Sequence, residues 1–267
     1  MIISVINQKG GVGKTITSAN LSACLAQKHP LLLVDLDPQS SLSNYFEVDA
    51  PEASLYDVLI GSKTLDDVAL QVRSQIRLVP STLQMSEAEA RLPHLPGSDL
   101  RLARSLRQRE SPDGEIIVLD CPSGWGATVR NAVLAATHIL IPINSESAAL
   151  ETAIATESLI KELCDGYDRP TPLFGVLLTC YRDTRIARAV AELTAQHWGG
   201  TTFSTVIRRV ERINELTARR ATIMDVSESA AGSARSDYAE LAKEIQQKWL
   251  AKEPKPRARQ SATLKSP

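Results

Sequence analysis

Two lysines, three aspartates and a threonine, all within the first 120 residues, carry most of the chemistry that this sequence specifies. The segment Lys9-Gly10-Gly11-Val12-Gly13-Lys14-Thr15 follows a short apolar run at 2–6 and opens a stretch of helical periodicity. Glycines at such a strand-to-helix turn let successive backbone N–H groups point inward around phosphate oxygens. The helix N-terminus behind them adds partial positive charge. In that setting Lys14 holds the β- and γ-phosphates of a nucleotide, and the Thr15 hydroxyl binds Mg²⁺. Gly10, Gly11, Val12, Gly13 and Ile16 complete the nucleotide-binding set. A glycine-rich turn with no ligand would explain the glycines, but not their coincidence with Lys-Thr, a strand and a helix.

Carboxylates follow at two strand ends. Asp35 and Asp37 close the apolar run at 31–34, where ligands bind in doubly wound sheets. Asp120 closes the apolar run Ile116-Ile117-Val118-Leu119, the Walker B form, in which the carboxylate binds a magnesium-coordinated water. Aspartates at strand ends are common as solvated turns, and the P-loop upstream is what gives these a role. The chemistry expected is electrostatic positioning of nucleotide, metal and water, with no covalent intermediate.

The elements that must hold these groups alternate along the chain. Apolar runs at 2–6, 31–35, 76–79, 116–119, 139–143, 173–178 and 203–207 read as strands. Helical patterns lie at 15–27, 100–109, 148–163, 186–197 and 233–249. Short apolar strands separated by helices predict a doubly wound, mainly parallel sheet flanked by helices, the α/β architecture of P-loop NTPases. In the last helix Tyr238, Leu241, Ile245 and Trp249 share a face and are expected to pack back on the sheet. The chain divides into a domain at 1–250 and a basic, proline-containing tail at 251–267, which is expected to be disordered.

Composition excludes several classes. A formal net charge of −1 over 267 residues predicts no partner from bulk charge. Cys24, Cys121, Cys164 and Cys180 lie far apart, which argues against a zinc site or a disulfide framework. They are expected to be small buried hydrophobes in a reducing cytoplasm. The apolar run at 2–6 has no basic segment before it and is too short for a signal peptide, and no stretch is long enough to span a membrane.

Measured against the plain Walker pattern, Gln8 stands where the first glycine belongs and Lys9 follows it. That lysine marks the deviant Walker A class. The string Asn7-Gln8-Lys9-Gly10-Gly11-Val12-Gly13-Lys14-Thr15 resembles the ParA-type partition ATPases of the ParA/MinD superfamily. Asp35-Leu36-Asp37-Pro38-Gln39, Asp120-Cys121-Pro122 and Gly175-Val176-Leu177-Leu178-Thr179 extend the resemblance over most of 1–250. Ile16, Ser40, Ser123 and Arg208 depart from the family pattern, in which a threonine, a glycine, a proline and a proline are usual.

The resemblance implies an ATPase using ATP and Mg²⁺, slow unless stimulated. It implies that Lys9 reaches across a sandwich homodimer to the partner's nucleotide, that Asp35 lies near Mg²⁺, and that Asp37 positions the attacking water. Lys9, Lys14 and Asp37 are then the catalytic candidates, and Thr15, Asp35 and Asp120 the metal candidates. It further implies non-specific DNA binding by the ATP-bound dimer through late basic residues, for which Arg182, Arg185, Arg188, Arg208, Arg209, Arg212 and Arg219 are the candidates. Interleaved Glu192, Glu211 and Glu215 give the competing reading of a solvated charged face. The partner implied is an adaptor of ParB-like role that stimulates hydrolysis. The cargo would be a plasmid, a chromosome or a protein body such as a carboxysome, and the location the nucleoid within the cytoplasm.

Two rivals share the P-loop. A MinD-like membrane regulator needs a terminal amphipathic helix, whereas Glu253-Pro254-Lys255-Pro256 breaks any helix and opens a polar run. An iron–sulfur reductase needs paired cluster cysteines, and Cys121 has no evident second. A small-molecule amidoligase would also carry a P-loop, but Asp35-Leu36-Asp37-Pro38-Gln39 argues for partition.

Overall fold

In the second strand, Leu31 and Leu33 point to one side of the sheet while Leu32 and Val34 point to the other, and all are buried. That continuous burial is what a strand covered on both faces requires. The computed structural model describes residues 1–146 and 148–249. Its strands are β1 (Ile2–Val5), β2 (Leu31–Asp35), β3 (Leu70–Arg73), β4 (Ile76–Val79), β5 (Ile116–Asp120), β6 (His138–Asn144), β7 (Leu173–Tyr181) and β8 (Thr202–Arg208). They form one sheet in the order β3-β4-β2-β5-β1-β6-β7-β8. All neighbours are parallel except β3, which runs antiparallel to β4 at one edge.

The helices are α1 (Lys14–Leu25), α2 (Ser41–Tyr45), α3 (Leu55–Ile60), α4 (Leu65–Val68), α5 (Met85–Arg91), α6 (Arg101–Gln108), α7 (Ala127–Ala135), α8 (Ala148–Gly166), α9 (Arg185–Trp198), α10 (Glu211–Ala218), α11 (Glu228–Ala231) and α12 (Ser233–Lys248). Residues of α1, α2, α10, α11 and α12 pack on the face that receives Ile3, Val5, Leu33 and Val118. The remaining helices pack on the other face, over Val34, Leu119 and Ile141. The result is the doubly wound, mainly parallel sheet that the alternating pattern predicts.

Most strand and helix positions agree with the sequence reading to within a few residues. The segment 41–68 is the main addition, because its helices are too short for periodicity to show. Their start signals are nonetheless local. Ser54 and Asp57 form a reciprocal capping box at α3, and Thr64 and Asp67 form another at α4. Strand β3 was also unexpected: Leu70 is exposed and only the pairing with β4 makes it a strand. The expectation of four buried cysteines needs correction. Cys121 and Cys164 are buried, but Cys24 is half-buried and Cys180 is exposed at the end of β7, with a φ of +52° in a register shift against β8.

Helix α12 packs back as expected, with Tyr238, Leu241, Ile245 and Trp249 all buried. It also holds the outer edge of the sheet. Between Thr202 and Val206, strand β8 carries two more residues than β7 does between Val176 and Leu178. In that bulge the N–H groups of Ser204 and Thr205 donate to the Glu244 carboxylate at 2.8 and 2.9 Å. The N–H of Arg208, nearer the end of the strand, donates to Asp237 at 2.9 Å. The tail expected over 251–267 lies outside the described residues.

Candidate nucleotide site

The loop between β1 and α1 is pinned by the two strands to one side of β1, β6 and β7. Asn7 Nδ2 donates to the Pro142 carbonyl on β6 at 2.8 Å, while Asn7 Oδ1 accepts the Lys9 N–H at 2.9 Å. The Thr179 hydroxyl on β7 donates to the Val12 carbonyl at 2.8 Å. Gly11 and Gly13 take φ of +75° and +83°, a region a side chain resists. At Gly10 and Gly11 a Cβ would meet nothing within 4 Å, so the concave side of the loop is open space. A phosphate-sized cradle is what that geometry leaves.

Lys14 is 8% exposed, and its Nζ donates to the Lys9 carbonyl at 3.0 Å. Burial lowers its amine below the ordinary value, and the Asp120 carboxylate acts in the opposite direction. Lys9 forms an ion pair with Glu146 of the same chain.

The aspartates fall into distinct roles. Asp120 is fully buried; its Oδ1 accepts the Ser18 hydroxyl at 2.8 Å, and its Oδ2 has no hydrogen-bond partner. Burial pushes its carboxyl up to about 6, with the Ser18 and Thr15 hydroxyls pulling back. Asp120 does not itself line the nucleotide cavity, and its Oδ2 leaves room for a further donor, such as a metal-bound water. Asp35 is also fully buried, and burial with the neighbouring Asp120 charge pushes it up to about 7. Its oxygens are taken by the Asp37 N–H at 3.0 Å and by the N–H and hydroxyl of Ser43 at 2.8 and 2.7 Å. Asp35 therefore orders the turn after β2 and does not line the cavity. Asp37 does line it, held by a bond from the Gln39 N–H at 2.9 Å to its Oδ1 and by the Ser81 hydroxyl on its carbonyl. In the same turn Ser40 takes φ +54°, which explains why a glycine is at home there.

Among the described residues no group of three or more His, Cys, Asp or Glu side chains is placed to hold a metal. An Mg²⁺ here would need phosphate oxygens and waters beside the Thr15 hydroxyl, the coordination that this small, reluctantly dehydrated ion favours.

The cavity over the loop is about 740 Å³. Gly10, Gly11, Gly13, Lys14, Thr15, Ile16 and Asp37 line one side of it; Val12 is buried beneath. Thr179, residues 207–210, Thr217 and Tyr238 also line it. Tyr45, Thr217 and Tyr238 were not expected from sequence as site residues; nothing in their local spacing marks them. Tyr238 OH lies 3.4 Å from the Thr17 hydroxyl, and Asn20 donates to Tyr45 OH at 3.4 Å.

The arginines separate. Arg182, Arg208 and Arg209 line this cavity. Arg185 is exposed in the first turn of α9, and Arg188 pairs there with Asp183 at 2.7 Å. Arg212 and Arg219 border a shallow depression beside α10, where Arg212 donates to the Ser229 carbonyl. Arg208 forms an ion pair with Asp237, which also accepts its backbone N–H. A proline at that position, usual in the resembled family, could not make the second bond.

Comparisons with known proteins agree with this geometry. A family model described as an AAA domain matches residues 1–168. The chain is 30% identical to the sporulation initiation inhibitor protein Soj of Bacillus subtilis over 91% of its length and 97% of the relative. It is 30% identical to the chromosome-partitioning ATPase Soj of Treponema pallidum, over 90% and 94% of the two chains. Among solved structures it is similar to cobyrinic acid a,c-diamide synthase from Mycobacterium smegmatis with bound ADP and magnesium. The TM-score is 0.79 and the identity 26%, over 94% of this chain and 96% of that one.

Proposed function

The chain belongs to the family of ParA-type partition ATPases, and we propose that it positions DNA or another cargo by an ATP-driven cycle. Two chains sandwich two ATP molecules, the dimer binds DNA without sequence preference, and an adaptor protein of ParB-like role accelerates hydrolysis and releases it. The observation that carries this reading is the pairing of two lysines on one P-loop with the unsatisfied Oδ2 of Asp120. ATP with Mg²⁺ supplies the phosphoryl group and the counter-charge that the site lacks.

The chain's own residues do the rest. The backbone of 10–15 binds the phosphate chain, Lys14 neutralises its terminal oxygens, and Thr15 with Asp120 holds the metal and its water. Asp35 sets the turn that aims Asp37 at the attacking water. Lys9 leaves Glu146 and crosses to the partner's nucleotide. Arg182, Arg185, Arg188, Arg208, Arg209, Arg212 and Arg219, all exposed, supply phosphate contacts to DNA. The cargo is a plasmid, a chromosome or a protein body such as a carboxysome, and the protein works in the cytoplasm on the nucleoid. The likeness to the diamide synthase lies in the fold and the nucleotide site, whereas Asp35-Leu36-Asp37-Pro38-Gln39 and the similarity to the Soj proteins support partition.

The test is binding to a long, arbitrary duplex with ATP, with ADP and without nucleotide, repeated at raised salt. Binding that requires ATP, ignores sequence and weakens steeply with salt is expected. Intact ATP-driven dimerisation with no DNA binding in any state would overturn the DNA part of the reading.

A further inference from the structure

Helices α3, α4 and α6 enclose a second cavity of about 530 Å³. It lies in the helix layer opposite α1 and shares no wall residue with the nucleotide cavity. Its wall carries four cations, Lys63, Arg101, Arg104 and Arg109, against two carboxylates, Asp66 and Asp67.

Both carboxylates are already engaged. Asp66 accepts from Arg77 at 3.1 Å, and Asp67 accepts the Thr64 N–H at 2.8 Å. The Thr64 bonds hold the Asp67 carboxyl below its usual range. Arg109 is engaged too, its terminal nitrogens lying on the Glu115 carboxylate. The Arg109 side chain is 2% exposed, yet its Nε has no hydrogen-bond partner, with Asp66 lying 3.6 Å away.

Of the other three cations, Lys63 shares the charge of Asp67, whose carboxyl it helps to hold down, while Arg101 and Arg104 have no carboxylate of their own. Arg101 gives its Nε to the Leu59 carbonyl, and among the described residues the side chains of Lys63 and Arg104 make no hydrogen bond or close ion pair. Two of them close on glycines in left-handed conformations. A Cβ on Gly61 would stand 2.9 Å from Arg101 Nη2, and one on Gly97 would stand 2.5 Å from Arg104 Nη1. Those glycines let two guanidinium groups approach the backbone closely, and both arginines line the one cavity.

Cations that outnumber the carboxylates beside them repel one another, and a multivalent anion is their complement. Guanidinium forks match phosphate oxygens in pairs, and the cavity has the volume of a small-molecule site. We propose that this cavity binds a compact phosphate-bearing anion, with Lys63, Arg101 and Arg104 as charged contacts and Ser105 and Gln108 as neutral ones. The phosphate could belong to a free phosphoester or to a nucleic-acid backbone.

The probe is inorganic pyrophosphate, followed by calorimetry on the full chain carrying Lys14→Ala, so that the P-loop is weakened as a competing site. Saturable binding is expected. Adding Lys63→Gln or Arg104→Gln should weaken it about tenfold each, as loss of a charge-assisted contact does, and raised salt should weaken it further. Both side chains are exposed, so these variants should fold, which circular dichroism checks. Absence of binding, or binding indifferent to both substitutions, would overturn the proposal. Displacement of pyrophosphate by a short DNA duplex would identify the source as a nucleic-acid backbone, and failure to displace it would identify a free phosphoester.

Discussion

The two sides of the nucleotide cavity are made in different ways. One part is built mainly from a single stretch of chain within residues 10–17, joined by Asp37, with its conformation set by its own glycines and by the helix it starts. The other part is assembled from the ends of β7 and β8, from α10 and from α12, which meet only in the folded molecule. In the proposed function the first binds what is common to all nucleotides and carries its chemistry largely in contiguous residues. The second depends on tertiary anchors such as the Arg208–Asp237 pair, and it can vary without touching the phosphate chemistry.

Substitutions on the two sides should therefore fail differently. Lys14→Ala should have the largest effect, weakening ATP binding by about a hundredfold or more, since it removes a buried charge-assisted contact to the phosphates. Titration with a fluorescent ATP analogue measures this, and retained tight binding would break the assignment of the first side. Asp37→Ala should leave binding in place but slow hydrolysis by on the order of a hundredfold, the scale of a lost water-positioning group. ATP-bound dimer should then accumulate on size exclusion, whereas unchanged turnover would remove Asp37 from the mechanism.

Asp237→Ala should act only on the second side. It frees the Arg208 N–H and guanidinium, so KM for ATP should rise by roughly tenfold while kcat stays within about a factor of two. An equal loss in kcat would mean that the two sides are not separable.

The smallest effect should come from Glu244. Burial acts to raise its carboxyl, but bonds from Lys248, Ser204 and Thr205 outweigh it and bring it down to about 2. A carboxyl depressed in the folded state stabilises above its ordinary pKa, and that contribution is lost as pH falls through the folded value. Glu244→Gln should lower Tm by roughly 2–4 °C near neutral pH. The gap from the parent protein should close between about pH 5 and about pH 2. A gap that ignores pH would show that packing, and not charge, is what Glu244 supplies.

The same contrast explains what could be read in the sequence. The placement of Gly10 to Thr15 between a strand and a helix, and of Asp37 and Asp120 at strand ends, is legible because strand, loop and helix are local. The doubly wound sheet is legible because burial on both faces writes itself as unbroken apolar runs. Tyr45, Thr217 and Tyr238 are not, because their approach to the cavity depends on how α2, α10 and α12 cross the sheet. The bonds that take up the Asp35 oxygens are not legible, because they come largely from Ser43, eight residues on, in a helix too short to predict. Arg208 was noticed as a departure, while its reason, a carboxylate 29 residues away, appears only in the fold.

The bulged edge at β8 has a bearing on assembly. An outermost strand with free N–H groups is a template on which a further chain can continue a sheet. Here the N–H groups of Ser204, Thr205 and Arg208 are already spent on carboxylates of α12. At those positions the sheet is closed to strand addition from a neighbouring molecule. Self-association through this edge must then use side-chain surfaces, which a bound nucleotide can make or unmake, and not an open-ended ladder of backbone bonds that no hydrolysis step could undo.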